Sequence, residues 1–290
     1  MKKARAKAIF NAGSRAIECL GINDGKYYCP ICGEGFTLEA GLLNRKPNTN
    51  WLTEEDVPPK SVGGKVVILT CRLCNNSAGH NYEFDLVRRR NMVEQAKCLV
   101  GQQDGEFGHV IFKVGGLSLN ANLSRRNGIT HFDISDKNNL SHLEVSKDTL
   151  SEFQDGDTLS ISPPKGYQKE NIEKADLKSA FLAVAAKFGY SIAFDSRMIP
   201  LRKAIIGRAD HKDLIHYMDF PPEISDKILV DEEAGVAAMK IEDRGVVIPW
   251  PSHPLSNFRK RGDWLEIRGA LVEFPTGFEA LVDRSRLKKT

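Results

Sequence analysis

Two Cys-x-x-Cys pairs, CPIC ending in Cys32 and CRLC ending in Cys74, hold four of the six cysteines of this chain. Thiolates are soft ligands, and two such pairs supply the four sulfurs that close a tetrahedral site, with zinc the expected occupant. A reducing compartment disfavours disulfides, which strengthens that reading of Cys29, Cys32, Cys71 and Cys74. A thioredoxin-like redox role for either pair is the alternative, but two pairs in one region ask for a common explanation. Cys19 and Cys98 stand apart and read as small buried apolar residues. The second pair runs directly into NNSAGH, and upstream lies TEEDVPP, with Glu54, Glu55 and Asp56 before a double proline. Alone, three acids before two prolines are a solvated turn; beside CNNSAGH they become a candidate site.

The elements that must position these groups follow from pattern. Residues 5–20 read as an amphipathic helix, and 27–38 as a zinc knuckle followed by a strand-like FTL. TNWLTEEDV reads as a strand, PPKSVGGK as a loop, and VVILT as a second strand. From Leu73 the pattern turns helical to about residue 100. The order is strand, loop, strand, helix, with CRLC at the strand-to-helix corner. GQQDGEFG (101–108) reads as a linker. Beyond it HVIFKV, LSLNANL, THFDIS, HLEVS and TLSIS indicate an antiparallel region. KADLKSAFLAVAAKFGY reads as a helix with Leu177, Phe181, Leu182, Val184, Ala185 and Phe188 on one face, ending at Gly189. Strands follow around VAAMKI, GVVIPW and DWLEIRGALVEF. No internal repeat appears.

Composition sets the limits. The chain has 290 residues, 41% hydrophobic and 27% charged, with a net charge of +3. That is ordinary globular composition with room for two cores. AFLAVAA is far too short to span a bilayer, and the basic N-terminus lacks the apolar stretch of a signal peptide, so the expected address is the cytoplasm without membrane attachment. Basic residues cluster at Lys2, Lys3, Arg5 and Lys7, at Arg88, Arg89 and Arg90, and at Arg284, Arg286, Lys288 and Lys289. Such runs suit phosphate contact as well as solvated helix faces.

The run LTEEDVPPKSVGGKVVILTCRLCNNSAGH resembles the HNH endonucleases, in particular bacterial members with a four-cysteine zinc frame around a ββα-metal core. The likeness covers residues 29–85. It implies a structural zinc on the four cysteines and a separate divalent cation, magnesium, manganese or similar, for hydrolysis of DNA phosphodiester bonds. By resemblance, Glu55 takes the acidic metal-ligand position and Asn75 the ligand position at the helix start. Asn76 and His80, four apart, share a helix face and can both approach that cation. The general-base position, usually histidine, holds Asp56, and VVIL fills the strand where an orienting asparagine is usual. An aspartate with an ordinary pKa of about 3.9 is a weak base at neutral pH. Three readings stay open: Asp56 acts as base, Glu55 and Asp56 exchange roles, or the chain is a catalytically impaired zinc-stabilised module that binds nucleic acid or protein. The expected partner is DNA, with RNA open, and Arg88, Arg89 and Arg90 are the candidate phosphate contacts.

The expected fold is therefore α+β. A zinc-bound ββα-metal domain occupies residues 1–100, and a second α+β domain with an antiparallel sheet, selecting substrate or partner, occupies 101–290. Its early and late strands are expected to share one sheet.

Overall fold

The computed structural model describes residues 2–114, 117–135, 160–162, 166–220, 227–255, 258 and 270–279. HLEVS, the first half of DWLEIRGALVEF and the basic run Arg284–Lys289 lie outside them. The chain is mixed α and β, and its sheets are antiparallel. It divides into two compact units, Met1–Phe84 with Lys169–Thr290, and Asp85–Gln168. The expected boundary at 100/101 thus falls inside the second unit, and the first unit draws on both ends of the chain.

In the first unit, α1 (Lys2–Ala16) leads through a short 3-10 turn to Gly21, which takes a left-handed φ of 77° and ends the helix. Strands β1 (Tyr27–Tyr28) and β2 (Gly35–Phe36) pair around the first cysteine knuckle. β3 (Leu52–Val57) and β4 (Lys65–Cys71) form the central hairpin, with a bulge between Glu55 and Asp56. Its loop needs both glycines. Gly63 has φ 96°, and a Cβ on Gly64 would lie 1.5 Å from the Pro58 carbonyl oxygen. β4 feeds directly into α2 (Arg72–Ala78) and then a π-helical turn at Gly79–Glu83; the next helix, α3 (Phe84–Leu99), belongs to the second unit from Asp85 on.

The first unit continues with α4 (Lys169–Phe188) and a five-stranded sheet of β9 (His216–Met218), β10 (Lys227–Asp231), β11 (Val236–Ile241), β12 (Arg244–Pro249) and β13 (Ala270–Glu273). The strand order is β13-β10-β11-β12-β9. α4 is not amphipathic as its sequence suggested. From Ala175 to Phe188 every residue is buried, because the helix contacts the β3–β4 hairpin, the π turn and strands β11 and β12. A helix apolar all round belongs in a core. Three charges are buried with it, Asp176, Lys178 and Lys187, the last paired with Glu279. Asp176 accepts a bidentate pair from Arg244 of β12 at 2.8 and 2.9 Å, plus a bond from Tyr217 at 3.1 Å. Lys178 reaches the hairpin instead.

In the second unit, β5 (Gly105–Val114), β6 (Leu117–Arg126), β7 (Ile129–Ile134) and β8 (Ser160–Ser162) form a sheet of order β7-β6-β5-β8. β5 starts within the stretch read as a linker, so only residues 101–104 serve as a connection. Cys98 of α3 packs with Phe107, Val110, Ala121 and Leu123 on one face of this sheet. Early and late strands therefore belong to separate sheets, contrary to expectation. Sequence-adjacent strands joined by tight turns pair first, as at Asn127-Gly128, where both residues take positive φ. Among the described residues no helix is long and apolar enough to cross a membrane.

Candidate metal centre and the polar face beside it

The hairpin-to-helix corner brings the two cysteine pairs together. The sulfurs of Cys29, Cys32, Cys71 and Cys74 all lie within 4.8 Å of one another, and Cys32 and Cys71 are 3.7 Å apart. A tetrahedron of sulfurs about 2.3 Å from zinc has an edge of about 3.8 Å. The four cysteines are positioned to bind one metal ion. All four are free thiols, so neither pair is a disulfide. Local geometry serves the sulfurs: the Cys71 amide donates to Cys29 Sγ at 3.4 Å, and the Cys74 amide to Cys71 Sγ at 3.5 Å. Cys71 is the N-cap of α2, where the helix's free amides favour a thiolate. Hydrogen bonds from Cys29 pull the Cys32 and Cys71 thiols below the ordinary range, whereas burial pushes Cys29 up. The Arg72 guanidinium stacks 4.3 Å from the Trp51 ring and its amide bonds the Trp51 carbonyl, fixing the turn into α2. Cys98 is buried as expected, but Cys19 is exposed, since it lies on the short turn after α1.

The structure distributes the expected catalytic residues less tightly. Glu55 is only 4% exposed. One of its oxygens accepts from Thr70 Oγ1 at 2.8 Å and the other from Lys178 Nζ at 2.8 Å. Lys178 also donates to Glu83 of the π turn at 2.7 Å. The lysine is 1% exposed; burial opposes its charge, but Glu55 and Glu83 outweigh it and hold its pKa above the usual lysine value. Burial raises Glu83. Asn75 Nδ2 donates to Thr53 Oγ1 at 3.0 Å, and Thr53 donates to the Thr70 carbonyl. A continuous polar face thus runs from Asn75 across the hairpin to Lys178.

Asp56 is half-buried at the bulge, outside that chain of bonds, and burial followed by the neighbouring Glu55 charge raises its pKa. Glu54 forms a two-bond pair with Arg5 of α1 at 3.0 and 2.9 Å. Asn76 and His80 are exposed. His80 sits in the π turn that follows the end of α2 at Ala78. Among the described residues, the four cysteines are the one group of three or more His, Cys, Asp or Glu donors close enough to share an ion.

The arginine run belongs to the second unit. Arg88 donates to the buried Asp85 at 2.9 Å, and all three arginines are half-buried and engaged. They are not a free basic edge.

Sequence reasoning missed Lys178, Glu83, Thr53 and Thr70. The signal was a lysine at the head of LKSAFLAVAA, where the turns that follow are apolar and a charge needs a buried partner. Neither a family model, nor a curated protein, nor a solved structure matches this chain.

Proposed function

We propose that this chain is an HNH-type, zinc-tied nucleic-acid-binding module in which a lysine closes the position of a hydrolytic cation. One observation carries this reading: the Lys178 ammonium lies between Glu55 and Glu83 with the Glu55 oxygens engaged. A cation that works on a phosphodiester must touch its carboxylate and the substrate at once. Glu55 offers no such access, and a positive charge already balances it. Zinc suits the four sulfurs, which would hold hairpin and helix together as a rigid base for contact with a partner.

The test pairs two measurements on the zinc-loaded full chain. Fluorescence anisotropy with duplex DNA should show binding that weakens steeply with salt. Supercoiled plasmid should remain intact with magnesium, manganese or nickel. Nicking by the wild type overturns the proposal in favour of an endonuclease. Absence of binding to both DNA and RNA overturns it in favour of a protein partner.

The endonuclease reading keeps one observation of its own. Asp56 lies outside the Lys178 cluster, and its raised pKa makes it a better base than an ordinary aspartate. On that reading Asp56→Ala and His80→Ala retain zinc and fold while losing cleavage by about 100-fold or more. Asp56→His then maintains or raises cleavage at neutral pH. Equal inertness of wild type and variants excludes it.

A further inference from the structure

The helix Ile199–Ile205 carries Arg202, which no sequence motif singled out. Its Nε donates to the Ile31 carbonyl, inside the first cysteine knuckle, at 2.8 Å. Its guanidinium stacks 4.7 Å from the Phe194 ring centre, which fixes its plane. Its Nη2 lies 3.1 Å from where a Cβ on Gly33 would stand, so the group lies against the knuckle's left-handed turn. Burial works against this charge, and Cys29, Cys32 and Cys74 are the groups whose negative charge favours it.

Four thiolates around a divalent ion leave a net charge of −2 at a site where Cys29 and Cys71 are fully buried. Charge in that setting needs a counter-charge nearby. We propose that Arg202 is the positioning residue of the metal centre: its guanidinium offsets the charge of the four-thiolate site and slows release of the metal. Residues outside the ligand set commonly change metal affinity by about 10–100-fold. Arginine suits the task because its planar fork holds one carbonyl while the ring stacks, and its charge survives partial burial. The arrangement also ties the first cysteine knuckle to a helix 171 residues on from Ile31.

The inference rests on the metal reading of the four cysteines, and the experiment separates the two. Zinc content of the wild type is measured first, then the rate of zinc transfer to a chromogenic chelator for wild type, Arg202→Met, Arg202→Gln and Arg202→Lys, each checked for fold by circular dichroism. We expect Met and Gln to release zinc about tenfold faster and Lys to stay near wild type, because release follows charge. If Gln, which keeps a donor for the Ile31 carbonyl, matches wild type, the role is packing and the proposal fails. If Met unfolds, the Gln and Lys comparison decides. A wild type without zinc removes the metal reading, and this inference with it.

Discussion

Cys71→Ser should abolish stoichiometric zinc binding and unfold the first unit. Purified wild type should carry about one zinc per chain, and the variant almost none. Structural zinc contributes roughly 10–16 kcal/mol in small peptides near neutral pH, which rivals or exceeds the whole stability of a typical domain. Cys71 has two duties in this reading: its sulfur is positioned to be a ligand, and it caps α2 through the Cys74 amide. Serine retains some capping ability, so loss of fold in this variant reports the metal. The check is elemental analysis alongside thermal melting, with and without a strong chelator. Unchanged melting and zinc content in Cys71→Ser would remove the metal centre. A chelator should reproduce the effect in wild type, since removing a ligand that binds only the folded state shifts the folding equilibrium.

Lys178→Met should cost about 3–5 kcal/mol, the usual loss when one partner of a buried ion pair is removed. The lysine is 1% exposed and faces two carboxylates, so nothing replaces its charge. The pH dependence carries a sign. In the wild type, Lys178 has a folded pKa above its unfolded value. Its contribution is therefore complete below the ordinary lysine range and is lost only as pH rises through the folded pKa. Between pH 5 and 8 that contribution is flat. In the variant, Glu83, already raised by burial, loses its cation. A carboxyl whose folded pKa is raised favours the fold below its unfolded pKa and disfavours it as pH climbs. The gap between variant and wild type should then widen from pH 4 to pH 7 in urea unfolding curves. A gap that stays constant across this window would mean that the loss is packing alone. Adding Glu55→Gln to Lys178→Met should recover part of the stability, because it removes a stranded charge.

The local design was legible because it is written in short-range code. Cys29, Cys32, Cys71 and Cys74, the VPPKSVGG loop and the strand-to-helix corner could be read directly, and Gly63 and Gly64 prove to be required by backbone geometry. What was hidden depends on partners distant in sequence. Glu55 looks like a ligand until Lys178, 123 residues on, is brought against it. Arg88, Arg89 and Arg90 look like a phosphate clamp until Asp85 is seen buried beneath the first of them. The domain division differs for the same reason: α4 reads as part of the 101–290 domain, yet its burial comes partly from the early hairpin. A fragment ending at residue 100 would strip Leu69 and Tyr27 of the apolar cover given by α4 and Tyr190.

α4 also raises a question of aim. A cylinder coated on every side with alanine, leucine and phenylalanine has many rotations of nearly equal packing energy. Asp176 and Lys178 are two positions apart, which places them roughly 200° apart around an α-helix. One is drawn to the arginine of the five-stranded sheet and the other to the glutamate of the hairpin. Turning the helix by half a revolution would set acid against acid and base against base. The pair therefore works as a compass, holding the helix at a single bearing, and exchanging the two residues should leave composition and volume nearly intact while reversing the bearing they favour.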